Sequence, residues 1–170
     1  AASETLNISG TGTVLSAAVG TGKNISLGSL ALSNNSGSAS NYTLSGGTHT
    51  LDITRRPITI AASRIYNGSV SLDGTDVSTT FTYSNIVGSE VISQTGTGSV
   101  SSANVGSGKS VTLGTISLAD GSGVASNYSL TSATLDITQR PISLSGTRVY
   151  DATSTASSSD LTTLTNLVGS

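Results

Sequence analysis

The sequence predicts an all-β protein made of tandem small β-sandwich domains of about 85 residues each, with antiparallel strands in an Ig-like arrangement and no significant helix. Three observations predict this. Apolar residues recur two positions apart, as in Ile25 and Leu27 or Ile142 and Leu144, which is the period of a strand with one buried face. Gly, Asn, Asp and Ser separate these pairs, as turns require. The same motifs also occur twice along the chain.

The repeat has a constant spacing over most of its length. Lys109 lies 86 residues after Lys23, whereas Pro141 lies 84 residues after Pro57. The two-residue difference arises between Tyr128 and Leu135, so we expect a hairpin tip there, where length varies easily. A period of this size is typical of a small domain and too long for a solenoid coil or a propeller blade. A flattened β-barrel and a β-grasp-like variant remain alternatives to the sandwich.

The repeat divides the chain into three parts. Residues 1–55 are interpreted as the C-terminal part of one repeat, residues 56–140 as a complete repeat and residues 141–170 as the N-terminal part of the next. An alternative phasing places the units at residues 3–88 and 89–170. Because both ends of the chain fall at one phase of the repeat, a part-repeat at one end could complete the part-repeat at the other end of a second molecule.

The composition excludes several classes of function. The 170 residues include no Cys, and their formal net charge is −2 with no cluster of Lys and Arg, which argues against a nucleic-acid partner. No apolar run approaches the roughly 18 residues of a membrane helix, so we expect no membrane insertion. The one histidine, His49, falls in the variable tip, and no Ser, acid and base follow a known catalytic order. We therefore predict no enzyme, no catalytic residues and no cofactor.

The two lysines are the residues with the most reactive potential. Each copy of the repeat carries one lysine, one glutamate and one aspartate at matching positions: Lys23, Glu4 and Asp52, then Lys109, Glu90 and Asp136. A buried lysine with a lowered pKa can form an amide cross-link beside an acid. The alternative is that both lysines are exposed at sheet edges, where they discourage pairing between molecules.

Two Asp-Gly segments could supply oxygen ligands to Ca²⁺, through Asp73, Asp76 and Asp120. Neither segment has the acidic density of a known calcium loop, and Asp-Gly is first of all a turn sequence. The sequence therefore predicts no metal site, with these three residues as the candidates if one exists.

Six residues that recur between copies are expected to be structural. Tyr42, Tyr128, Tyr66 and Tyr150 suit core packing with the hydroxyl anchored to the backbone, while Pro57 and Pro141 suit the junctions between units. A tyrosine surface that stacks against sugars is the alternative.

The order of the motifs resembles a known family. Arg64-Ile65-Tyr66-Asn67-Gly68 and Arg148-Val149-Tyr150-Asp151-Ala152 stand at matching positions. The segment between them carries Asn104-Val105-Gly106-Ser107-Gly108-Lys109, Ala125-Ser126-Asn127-Tyr128 and Asp136-Ile137-Thr138. In these features the chain resembles the YDG-type repeat, named for Tyr-Asp-Gly, of filamentous-haemagglutinin-family bacterial surface exoproteins. One copy reads Tyr-Asn-Gly and the other Tyr-Asp-Ala.

The resemblance implies an extracellular location at the bacterial cell surface and a structural role. We expect a stalk repeat of a secreted adhesin or surface fibre that projects a distal binding domain, with adjacent repeats of the same chain as its partners. The alternative is that the repeat itself binds glycans or matrix, or associates with identical chains head to tail, in a biofilm or in cell–cell adhesion.

Overall fold

The computed structural model describes residues 3–169. The chain forms two compact units, and the boundary between them lies between Arg56 and Pro57. Within the described residues the only helical segments are two short 3-10 turns, Ala39–Asn41 and Ala125–Asn127. The prediction of an all-β chain is therefore confirmed. No helix in this range is long and apolar enough to span a membrane.

The first unit contains five strands in two small antiparallel sheets. The strands are β1 Leu6–Ser9, β2 Thr13–Val14, β3 Gly20–Ser26, β4 Ala31–Asn34 and β5 Thr50–Ile53. Strand β1 pairs with β4, and the second sheet has the order β2-β3-β5. Strand β5 therefore lies at the edge of its sheet.

The second unit contains ten strands. They are β6 Arg56–Ile65, β7 Ser71–Asp73, β8 Thr80–Tyr83, β9 Ile92–Thr95, β10 Thr97–Ser99, β11 Gly106–Ser110, β12 Ser117–Asp120, β13 Tyr128–Thr138, β14 Ser143–Ser145 and β15 Thr163–Thr165. The largest sheet has the order β11-β13-β6-β8, and β7 with β10, β9 with β12, and β14 with β15 form separate pairs.

The pairing of β6 with β13 departs from the predicted antiparallel arrangement. Thr131 Oγ1 donates to Ile58 O at 2.9 Å, and Thr138 Oγ1 donates to Arg64 O at 3.3 Å. Since partners advance together along both strands, these two strands run parallel, and the four-stranded sheet is mixed. The architecture is thus all-β, with several small antiparallel and mixed sheets, and these sheets do not by themselves show a tandem array of Ig-like sandwiches.

Strand β13 also corrects the predicted hairpin tip. It runs without interruption through the segment in which the two copies differ in length. The matching segment of the first unit, residues 43–49, is irregular. The difference has a physical reason: Thr131 in β13 bonds to the neighbouring β6, whereas β5 has no such neighbour in its sheet.

The core lies where β6 meets the strands that follow it. Strand β6 alternates strictly between buried and exposed residues, and its inward positions include Ile58, Ile60 and Ala62. Ile60 and Ala62 pack with Leu72 and with Leu135 of β13, whereas Ile58 packs in a second cluster with Ile92 and Tyr128. The core therefore combines residues from both ends of the 56–140 segment.

The strand register is the same in different copies of the repeat. Leu6 pairs with Asn34 as Ile92 pairs with Asp120, 86 residues later. The register irregularity between Gly20 and Lys23 recurs between Gly106 and Lys109. Leu144 pairs with Leu164 as Ile60 pairs with Tyr83. Copies with different side chains thus specify one pattern of strands and turns.

The first unit and the residues after 141 expose apolar side chains that the complete repeat buries. Leu135 is 0% exposed, but its counterpart Leu51 is 45% exposed. Ile58 is 1% exposed, but its counterpart Ile142 is 54% exposed. All fully buried apolar side chains of the described range lie between Ile58 and Ile137. The buried core of the described residues therefore lies within this one segment.

Candidate functional site

The Tyr-Asx-Gly motif forms a turn that follows β6. Asn67 Oδ1 accepts a hydrogen bond from Ser69 N at 3.0 Å, and Asp151 Oδ1 accepts one from Thr153 N at 3.0 Å. These are Asx turns, which Asn and Asp both form. The same bond, together with the Thr153 hydroxyl, holds the pKa of Asp151 below its usual value.

The third position of the motif has a left-handed backbone. The φ angle is +76° at Gly68 and +62° at Ala152. Glycine adopts this conformation without strain, whereas a residue with a Cβ does so at a cost of about 1–2 kcal/mol. Backbone geometry therefore explains the glycine of the motif, and Ala152 is a strained substitute.

The arginine two residues before the motif tyrosine clamps the loop that follows. Arg64 is buried, and its two terminal nitrogens donate to Ser69 O and Ser71 O. Arg148 donates in the same way to the carbonyl oxygens of Thr153 and Thr155. Burial lowers the pKa of Arg64, and its Nε has no hydrogen-bond partner. The guanidinium is a structural element in both copies.

A tyrosine–glutamate pair recurs in both copies. Tyr42 donates its hydroxyl to Glu4 Oε2 at 2.8 Å, and Tyr128 donates to Glu90 Oε2. The bond to Glu4 raises the pKa of Tyr42. Tyr128 is buried, and its hydroxyl also accepts a hydrogen bond from Val87 N at 3.2 Å. The comparison of the two copies identified all four residues but not which of them pair. The constant spacing of 38 residues between the glutamate and the tyrosine could have indicated the pairing.

In each copy, a backbone amide beside the lysine donates a hydrogen bond to the aspartate of the neighbouring strand. Gly22 N donates to Asp52 Oδ1, and Gly108 N donates to Asp136 Oδ1, both at 2.6 Å. Lys23 Nζ donates to Ser16 O at 3.1 Å. In the described part of the chain neither Lys23 nor Lys109 forms an ion pair with a carboxylate. The cross-link between these lysines and Glu4, Glu90, Asp52 or Asp136 stays a prediction.

The candidate calcium residues lie in turns. Asp73 Oδ1 accepts hydrogen bonds from Thr75 N and Oγ1, both at 2.8 Å, and Asp120 Oδ1 accepts one from Ala125 N at 2.7 Å. Asp76 accepts hydrogen bonds from Ser78 and Thr79, and the Ser78 hydroxyl is the main cause of its lowered pKa. Among residues 3–169, no three His, Cys, Asp or Glu residues are grouped as metal ligands.

The remaining sequence-predicted residues lie near the start of each repeat. Tyr66 is half-buried against the core, whereas Tyr150 is exposed. Asn85 Nδ2 donates a hydrogen bond to Pro57 O at 2.8 Å, and Asn166 Nδ2 donates one to Pro141 O at 2.7 Å. These two asparagines, both with positive φ, were not singled out from the sequence.

The one histidine, His49, lies in the irregular segment before β5. It is half-buried, and its Nε2 lies 2.6 Å from Leu44 O.

The junction between the complete repeat and the next part-repeat is held by one arginine. Arg140 Nε donates to Asn166 O, and its terminal nitrogen donates to Asn166 Oδ1, both at 2.6 Å. An open hollow of about 310 Å³ lies beside this pair, with Tyr66, Ile142 and Val168 in its wall. Its surroundings are apolar apart from the arginine, the asparagine and Gln139. The junction therefore supplies hydrogen bonds between Arg140 and Asn166 and an apolar wall beside them.

The comparisons with known proteins place part of this chain in a family. The family model described as the YDG domain matches residues 53–135, so this part of the chain is a YDG domain. The match covers the repeat that holds the buried core, together with its Asx turn and Tyr128. The comparison with curated proteins and with solved structures found no significant match.

Proposed function

We propose that this chain is a structural stalk repeat of a secreted bacterial adhesin or surface fibre, of the filamentous-haemagglutinin kind, that projects a distal binding domain from the cell. The observation that supports the proposal is the recurrence of one strand register in successive copies. The link from β13 to β14 has only four residues, Gln139–Ile142, and one of them is proline. A short link with a fixed φ restricts bending between consecutive copies.

The use of the polar side chains also supports a mechanical role. The Asx turns, the arginine clamps and the tyrosine–glutamate pairs all fix loops of their own copy, and they recur at matching positions. Side chains selected for a ligand would converge on one place. Here they are distributed along the chain, as a spacer that repeats many times requires.

The experiment is a length series. Arrays of two, four and eight YDG repeats would be expressed, and small-angle X-ray scattering would give their maximum dimension. A stalk predicts that the dimension grows in proportion to the repeat number. A dimension that grows only as the cube root of the repeat number would contradict the proposal, because the repeats would then collapse into a globule.

Self-association of the repeat is the second candidate function, because the exposed apolar residues of the two part-repeats favour it. Ile142 and Leu51 are both about half exposed, although their counterparts belong to the core of the complete repeat. Binding of glycan or matrix by the same surface would be tested on a glycan array with the 170-residue chain.

A further inference from the structure

We propose that strands β6 and β13 form a force-bearing clamp in the complete repeat, in which tension along the chain loads the hydrogen bonds between the two strands in shear. This role rests on the proposed stalk function, because a stalk carries tension whenever its distal end is held. It goes beyond that function, since a spacer can set a distance without resisting a pull.

The strands on which the chain enters and leaves the repeat are direct neighbours. Strand β6 begins at Arg56, and β13 ends at Thr138, just before the link to the next copy. The two strands occupy the central positions of the four-stranded sheet, with β8 and β11 outside them. Tension carried by the covalent chain therefore enters the repeat on β6 and leaves it on β13.

The contacts along this pair fix the direction of the pull. At one end Thr131 Oγ1 donates to Ile58 O, and at the other end Tyr66 N donates to Thr138 O at 2.9 Å. Thr138 Oγ1 donates to Arg64 O at the same end. A strand rises about 3.3 Å per residue, so the entry and exit points lie roughly 20 Å apart along the parallel strands. Pulling on the two ends draws the strands in opposite directions along their own axes.

Shear loads every bond of the pair at the same time, whereas peeling loads one bond after another. The backbone hydrogen bonds of a parallel pair are evenly spaced along the strands, so they share the load. The hydroxyls of Thr131 and Thr138 add one hydrogen bond near each end. Forced unfolding is governed by the rate of crossing the unfolding barrier. Simultaneous rupture raises that barrier, so the repeat withstands a larger force.

The core opposes sliding of the two strands as well. One buried cluster holds Ile60 and Ala62 of β6 together with three residues of β13, which are Ala133, Leu135 and Ile137. Because alternate side chains of a strand point to opposite faces, a slip of one residue removes the inward set from this cluster. Sliding therefore exposes apolar surface to water in addition to breaking hydrogen bonds.

The test applies force to the full chain in two directions with optical tweezers. Because the chain contains no Cys, pairs of introduced cysteines define the points of attachment. Arg55→Cys with Gln139→Cys pulls the repeat through its natural ends. Ile65→Cys with Gln139→Cys pulls both strands at their shared end and peels them apart. All three replaced side chains are exposed.

The clamp predicts a several-fold higher unfolding force for the first pair of attachment points than for the second at one loading rate. In the first geometry, the released length identifies the element that opens. At about 3.4 Å per extended residue, residues 57–138 release roughly 280 Å of chain, less their folded length. Urea unfolding of both double variants is expected to give equal midpoints, since the pulling direction does not change the free energy of unfolding.

Two matched substitutions locate the resistance. Thr131→Val removes the hydroxyl that bonds to Ile58 O and keeps the shape of the side chain. It is expected to lower the force in the shear geometry only, because this bond lies at the far end of the peeled pair. Thr82→Val removes a similar bond, from β8 to Ala61 O at 3.0 Å, and is expected to leave both forces unchanged.

The clamp is overturned if the two pulling directions give equal forces, or if Thr82→Val lowers the shear force as much as Thr131→Val does. It is also overturned if the urea midpoints differ in the same order as the forces, because stability would then account for the difference. None of these results changes the length series of the stalk proposal. Arrays that extend in proportion to repeat number but give equal forces would keep the stalk and exclude the clamp.

Discussion

Tyr128 donates its hydroxyl hydrogen to the carboxylate of Glu90, and the same oxygen accepts a hydrogen bond from the backbone of Val87. One side chain thus ties the end of the first half of the repeat to the start of the second half. Tyr42 makes the corresponding bond to Glu4 at the surface of the first unit. Comparing the buried Tyr128 with the exposed Tyr42 therefore measures how burial changes the contribution of this tyrosine to stability.

The Tyr128→Phe variant is expected to lower the free energy of unfolding by about 1–2 kcal/mol, because it leaves the Val87 amide and the Glu90 carboxylate without their buried partner. Tyr42→Phe is the matched control, and it is expected to lower the free energy of unfolding by less than Tyr128→Phe does, because water can replace the lost hydrogen bond at an exposed site. Urea unfolding followed by circular dichroism measures both. Equal losses would show that burial of the tyrosine contributes nothing to its bond.

The Gly68→Ala variant is expected to lose about 1 kcal/mol of stability, since alanine must adopt the left-handed backbone that glycine adopts freely. Gly68→Asn is the control, because asparagine tolerates this conformation better than alanine does. A new Cβ would also approach Val168 Cγ1 to 3.0 Å in both variants. If asparagine proved as harmful as alanine, the steric contact and not the backbone would be the cause.

The Arg64→Met variant is expected to cost about 2 kcal/mol, because two carbonyl oxygens lose charged hydrogen-bond donors while the side-chain volume is largely kept. Arg148→Met removes the corresponding clamp from an exposed loop and is expected to have a much smaller effect on unfolding. Arg64→Lys should recover only part of the loss, since an ammonium does not reproduce the guanidinium fork. Thermal denaturation of the three variants tests this. An unfolding midpoint of Arg64→Met equal to that of the unchanged chain would refute the stabilising role of the arginine.

The stability of the complete repeat is expected to fall in acid through Asp76. The Ser78 hydroxyl, the Ser78 amide and the Thr79 hydroxyl all stabilise its ionised form and lower its pKa below the usual 3.8. For an acid whose pKa is lower in the folded state, the contribution is present above the unfolded pKa and is lost as the pH falls through the folded value.

Urea midpoints at about pH 7 and about pH 3 measure this dependence. Asp76→Asn is expected to narrow the difference between the two midpoints, and Ser78→Ala is expected to narrow it by a smaller amount because it removes only part of the cause. Asp160 has a lowered pKa through Ser157, so some acid sensitivity persists in both variants. An undiminished difference in Asp76→Asn would exclude a role for this carboxylate.

Much of the fold could be predicted from local patterns. The period-2 apolar pairs located β6, β13 and several of the other strands, among them β3, β5 and β12, because side chains of a strand alternate between two faces whatever its neighbours are. The parallel pairing of β6 with β13 could not be predicted in this way. These strands are joined by hydrogen bonds between residues 73 and 74 positions apart, and a pattern within one strand carries no information on its partner or its direction.

The same division applies to the candidate sites. Repeated spacing identified the lysines, tyrosines and acids as recurrent, but not which of them meet. Glu4 and Glu90 were named only as candidates for a cross-link with lysine, and their bond to a tyrosine hydroxyl in the structure was not predicted. Choosing between these partners requires the register of several strands at once, which depends on packing across the whole repeat.

The amino-acid sequence by itself determined that this chain is all-β and that its motifs repeat, since strand periodicity follows from local sterics and the repeat is visible in the residues themselves. Only the tertiary structure decided that the first and last strands of a repeat lie side by side. Whether these two strands pair depends on which apolar faces pack into one core, and residues far apart in the sequence contribute to that packing. That arrangement buries Ile60 of the first strand and Leu135 of the last strand in one core.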